Sequence, residues 1–110
     1  MFEISESRVI KITRQDTAVF TLKTNYTLTT GDKVYLTVKE DPADTEPKLQ
    51  LIVDEFLADG SCVFKFTTKD TDIPAGDYLY DIQVDFADGR RYTIMYPTKF
   101  KVMDQITSNS

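Results

Sequence analysis

Apolar and polar residues alternate almost without interruption from Gly76 to Tyr96, and this stretch limits what the chain can fold into. Tyr78, Tyr80, Ile82, Val84 and Phe86 recur at every second position, with Asp77, Asp81, Gln83 and Asp85 filling most places between them. A period of two marks a strand with one dry face. Beyond Asp88-Gly89, a turn signal, Tyr92, Ile94 and Tyr96 resume the pattern. The stretch reads as an antiparallel hairpin at the centre of a sheet.

Parity selects the loop. A two-residue loop of Asp88 and Gly89 would set Asp85 opposite Tyr92 and carry Tyr92 and Ile94 to the wet face. A three-residue loop, Ala87-Asp88-Gly89, pairs Phe86 with Arg90, Val84 with Tyr92 and Ile82 with Ile94, all apolar partners on one side. Its third residue must be left-handed, which glycine permits at Gly89.

The remaining chain adds strands, not helices. No window keeps helical apolar spacing for three turns. Strands are expected over residues 8–13, over 17–23 with Ala18, Phe20 and Leu22 inward, and over 33–39 with Val34, Leu36 and Val38 inward. Glu40 to Pro47, with Pro42 and Pro47, is an exposed loop. Lys48 to Leu57 reads as a strand with a bulge. Residues 61–67 form another strand, with Cys62, Phe64 and Phe66 inward. Pro97 is expected to stop the second hairpin strand, leaving Lys99 to Met103 as a short last one. Seven or eight strands with turn signals between them argue an all-β, antiparallel β-sandwich. Residues 1–110 make one domain, its ordered core spanning about 4–103 and its tail, 104–110, fraying.

Thirteen basic against eighteen acidic residues give a formal charge of −5. A basic surface for nucleic acid is therefore not expected, and Arg90-Arg91 reads as two solvated residues after a turn. No apolar run reaches the roughly 18 residues of a membrane span, and the first residues do not form a signal peptide. Asn25-Tyr26-Thr27 matches a glycosylation sequon by chance. Cys62 is the lone cysteine, so it cannot form an intrachain disulfide.

Histidine is absent, which removes the commonest general base and metal ligand. Cys62, alternating with Phe64 and Phe66, reads as a small core residue, not a nucleophile. No nucleophile–base pair is visible, so an enzyme is not expected and no cofactor is implied. Asp70, Asp72 and Asp77 admit a calcium reading, but their spacing fits turn-capping carboxylates better. Tyr26 and Tyr35 are the tyrosines left off the core side, and are the candidate contacts if the domain binds carbohydrate.

The order of several short motifs carries a resemblance. Arg14-Gln15-Asp16-Thr17-Ala18-Val19-Phe20 is followed by Leu36-Thr37-Val38-Lys39, Asp70-Thr71 and Gly76-Asp77-Tyr78-Leu79-Tyr80-Asp81-Ile82. Asp88-Gly89, Tyr92-Thr93-Ile94 and Phe100-Lys101-Val102 complete the series. From about Ile4 to Thr107 the chain resembles the small immunoglobulin-like domain of upper baseplate proteins of tailed phages and prophages of Gram-positive bacteria. Gln15 stands where that family often has glycine. In the family the domain usually heads a longer chain.

The resemblance implies an immunoglobulin-like sandwich in a phage or prophage tail, synthesised in the bacterial host cytoplasm and incorporated into the virion. It also implies other tail or baseplate proteins as partners. Homo-oligomerisation is expected of an acidic sandwich with a polar face and no active site. The charge balance and the lack of a long apolar run give no expectation of contact with nucleic acid or membrane. The residues expected to hold turn and core are Asp70, Thr71, Gly76, Tyr78, Tyr80, Ile82, Val84, Asp88, Gly89, Tyr92 and Ile94. A free-standing β-sandwich module binding carbohydrate or a cell-surface ligand is the other reading, and there Tyr26 and Tyr35 would make the contact.

Overall fold

A computed structural model describes residues 2–24 and 26–105, all but the side chain of Tyr96. Eight strands follow one another: β1 (Phe2–Ile4), β2 (Ile10–Thr13), β3 (Ala18–Leu22), β4 (Lys33–Lys39), β5 (Leu49–Val53), β6 (Cys62–Phe66), β7 (Gly76–Asp85) and β8 (Arg91–Met103). Among the described residues no segment is helical. One sheet has six strands in the order β1-β2-β8-β7-β4-β5, and β3 and β6 form a second, two-stranded sheet. The chain is all-β, as its alternation requires.

The core lies between the sheets. Val34, Leu36 and Val38 of β4 and Tyr80, Ile82 and Val84 of β7 are buried on the inner face of the large sheet. Phe20, Cys62, Phe64 and Phe66 meet them from the small sheet. Phe66 bridges the layers, its ring 6.1 Å from that of Phe100 and 6.2 Å from that of Phe2. Cys62 is wholly buried, and burial pushes its thiol up to about 11. That is the environment of an inert core residue.

The hairpin loop has three residues. Phe86 donates its amide to Arg90 O at 2.8 Å, Gly89 donates to Phe86 O at 3.0 Å, and Gly89 has φ +95°. Val84 pairs with Tyr92 as parity requires.

Four expectations need correction. The hairpin register slips beyond Gln83–Thr93: Ile82 pairs with Met95, so Ile94 sits in a bulge. Pro97 does not end a strand. Asp81 alone faces residues 96 and 97 of β8 at a second bulge, and β8 runs on to Met103. A bulge leaves a residue without ladder bonds, so a proline there forfeits nothing. The sheet is also mixed, because β2 pairs with β8 in parallel from Ile10–Phe100 to Thr13–Met103. Finally, β5 pairs with β4 in unbroken register over Leu49–Val53, with no bulge. One strand, β1, has no counterpart in the alternation, since three residues are too few to display a period.

Gln15 sits at φ +67°, a left-handed conformation that glycine would adopt without strain. Thr71, buried in the neighbouring turn, donates its hydroxyl to Asp16 O at 2.8 Å and holds the first turn in place. Gln105 donates its amide to Arg14 O at 2.9 Å and to Gln15 Oε1 at 2.7 Å. The expected fraying concerns residues that, beyond Gln105, lie outside the described ones, as does Asn25 of the sequon.

Candidate functional site

Two surfaces concentrate functional side chains, on opposite faces of the large sheet. The first is at the tip of the β7–β8 hairpin on the inner side, past the end of the small sheet. Tyr26, from the loop after β3, stacks on Tyr92 with ring centroids 5.6 Å apart and meets Phe86 edge-on at 5.5 Å. Phe86 and Tyr92 also meet edge-on at 5.6 Å. The Arg90 guanidinium lies 4.6 Å from the centre of the Phe86 ring, and its Nε is 2.8 Å from Asp88 Oδ2. Arg90 is thus part of an aromatic cluster, not a freely solvated cation.

Tyr92 faces inward by parity, yet remains 39% exposed, and Tyr26 is 41% exposed. The two-stranded sheet is too small to cover the hairpin tip, so these rings cover one another.

Beside this cluster a groove runs between β3 and the first half of β8. It is lined by Phe20, Leu22, Ile94 and Met95, with Arg8 and Lys23 at its rim.

The second surface is a pocket of about 400 Å³ on the outer face. Thr37, Gln50, Asp81 and Gln83 contribute from three adjacent strands, and Pro42 and Pro47 wall it from the β4–β5 loop. Gln50 Nε2 donates to Thr37 Oγ1 at 3.1 Å. Asp81, at a polar position of the β7 alternation, is half-buried here. Burial raises its pKa, and the charge of Lys39 partly offsets the rise. A desolvated carboxylate beside two amides offers acceptors and donors to a hydroxylated or cationic ligand.

The two tyrosines marked for ligand contact do not form one platform. Tyr35 alternates with the inward Val34 and Leu36, so it occupies the outer face, opposite Gln83 and Ile52. Tyr26 stacks on the inner-side cluster instead.

The other marked residues hold the frame. Asp70 accepts the Thr67 amide at 2.8 Å, capping its turn. Asp72 pairs with Arg14 at 3.0 Å, and Asp77 lies 4.0 Å from Lys101. Each of the three carboxylates considered for calcium thus has its own protein neighbour. Among the described residues no three potential ligands are grouped to hold a metal ion. Gly76 opens β7 opposite Val102. Tyr78 donates its hydroxyl to Pro74 O at 2.5 Å, and Tyr80 donates its own to Arg8 O. Asp88 accepts the Arg90 amide at 3.0 Å.

Two features had too little sequence signal to be found. Tyr26 belongs to a loop without periodicity, so its partners were not legible. The walls of the outer pocket come from a loop whose path depends on tertiary packing.

Compared with protein-family models, with curated proteins and with solved structures, the chain matches none.

Proposed function

We propose that the chain is an immunoglobulin-like β-sandwich and a non-catalytic structural component of a phage or prophage tail or baseplate. It would act by protein–protein contact with other tail proteins and with further copies of itself, in the virion, after synthesis in the host cytoplasm. The immunoglobulin-like reading draws support from the two-sheet strand order and from the Tyr78–Pro74 bond. In such domains a tyrosine at the start of a central strand bonds backbone a few residues upstream, two residues before a core cysteine. Tyr80, buried, takes that second position here. The tail assignment draws support from the ordered series of motifs from Arg14 to Val102.

The observation that carries a contact function is the exposed cluster of Tyr26, Phe86, Tyr92 and Arg90. Tyrosine and arginine are enriched among the residues that dominate interface energetics. Tyrosine brings large area with few rotamers to lose, and arginine a planar group that stacks on rings and donates several hydrogen bonds. Retention of candidate tail and baseplate proteins on the immobilised chain tests the proposal. Retention that falls when Arg90 or Tyr92 becomes alanine is the expected result. Retention of no tail component, or retention indifferent to both changes, contradicts it.

The outer pocket favours a second reading, a module binding carbohydrate or a cell-surface ligand. Asp81, Gln50 and Gln83 are side chains suited to a sugar's hydroxyl groups. Binding on a glycan array that is lost in Asp81→Asn would favour this reading over the first.

A further inference from the structure

We infer that β5 is a docking edge for a second copy of this chain, the two strands joining antiparallel about Leu51. The inference rests on the contact half of the function proposed above and not on the tail assignment.

Exposed sheet edges tend to recruit another strand, and folded proteins blunt them with charge, proline, bulges or brevity. The large sheet ends at β1 and β5. β1 has three residues and carries Glu3. The part of β8 not paired to β2 carries Arg91, Pro97 and both bulges. β5 has none of these protections. Its sequence, Leu-Gln-Leu-Ile-Val, is uncharged and rich in strand formers, and it lies in regular register on β4. Ile52 on its outer face is 55% exposed, and Leu51 and Val53 on its inner face are only partly covered.

The flanks select the occupant. In an antiparallel pair centred on Leu51, Leu49 opposes Val53 of the second copy and Gln50 opposes Ile52. One step further out, exposed Lys48 opposes exposed Asp54 of the second copy, and by symmetry the pair occurs twice. Setting Leu51 against Leu51 also keeps both dry faces on the same side of the joined sheet. A slip by one residue would not. β3 is likewise uncharged and has a free edge, with Val19 62% exposed. Centred on Phe20, however, its flanks would set Thr17 against Lys23, with no complementary charge. An isolated exposed ion pair adds little affinity, but it fixes register.

Sedimentation velocity of the full chain over a range of concentrations tests this, with circular dichroism to confirm that each variant folds. A concentration-dependent dimer is expected. Lys48→Asp should weaken it about tenfold or more, since it sets two carboxylates directly opposite each other across the strands. Ile52→Lys should do the same by placing a charge on the docking edge. The double change Lys48→Asp with Asp54→Lys should restore it, and Val19→Lys should leave it intact. A strict monomer, a dimer lost with Val19→Lys, or failure of the double change to rescue would overturn the inference. A monomer that still retains tail proteins would overturn the edge alone. A rescued dimer that retains none would overturn the tail assignment alone.

Discussion

The carboxylate of Asp32, at the foot of β4, accepts the backbone amide of Ala87 in the hairpin loop, 2.9 Å away and 55 residues along the chain. The same carboxylate accepts the Thr29 amide at 2.9 Å. One buried side chain thus closes its own turn and anchors the β7–β8 loop to it. The two amide bonds lower the Asp32 pKa, against the opposing effect of burial.

Asp32→Ala should therefore be costly. Hydrogen bonds to a charged group contribute about 1.5 to 3 kcal/mol each, and two amides would lose their acceptor. Because the folded pKa is depressed, this stabilisation is present above the unfolded value, about 3.9 for aspartate. It is lost as pH falls through the folded value. Acid unfolding of the wild type and of Asp32→Asn, followed by circular dichroism, checks this. The variant should be less stable at neutral pH and should lose less on acidification.

Gly31 and Gly89 should respond differently to the same substitution. Both have positive φ, +98° and +95°. A Cβ on Gly89 would meet nothing within 4 Å, so alanine there costs only backbone strain, roughly 1 to 2 kcal/mol. A Cβ on Gly31 would come within 3.0 Å of the Ala87 Cβ and add a contact that must yield. Urea midpoints should fall further for Gly31→Ala than for Gly89→Ala, with Gly89→Asn the mildest change.

Gln15→Gly should be neutral or stabilising by up to about 1 kcal/mol. The left-handed backbone costs a non-glycine residue roughly 1 to 2 kcal/mol. Added freedom in the unfolded chain and loss of the bond from Gln105 return part of that gain. A loss of more than about 1 kcal/mol in thermal or chemical unfolding would show that the turn is not strained at this position.

Tyr80 links β7 to the turn two residues ahead of β2, through its hydroxyl and the Arg8 carbonyl. Burial pushes its pKa up to about 12. The neutral phenol is therefore favoured in the folded state. Stability from this group is full below the unfolded value, about 10, and declines as pH rises towards the folded one. Tyr80→Phe should lower stability at neutral pH by about 0.5 to 1.5 kcal/mol and flatten the alkaline decline. An unchanged alkaline transition would contradict the link.

Alternation made most of this fold legible, because one residue decides the face of the next. Val34, Leu36 and Val38, the Tyr78 to Val84 series and the Gly89 loop were all readable for that reason. The bulges at Ile94 and Pro97 were not: each extra residue of β8 is accommodated by β7, whose own pattern continues undisturbed. The parallel pairing of β2 with β8 joins segments about 90 residues apart and has no local signature. Candidate surfaces were less legible still. Tyr26 and Tyr35 look alike in sequence, yet tertiary packing sends one to the hairpin cluster and the other to the opposite face.

The most direct test of a tail component is its stoichiometry in purified particles. Tails prepared by density gradient from cells expressing the chain from its own locus should contain it in fixed ratio to the major tail proteins, measured by quantitative mass spectrometry. Arg90→Ala should reduce that ratio while leaving the amount in the lysate unchanged. A chain found only in the unassembled fraction, at any expression level, would contradict the account.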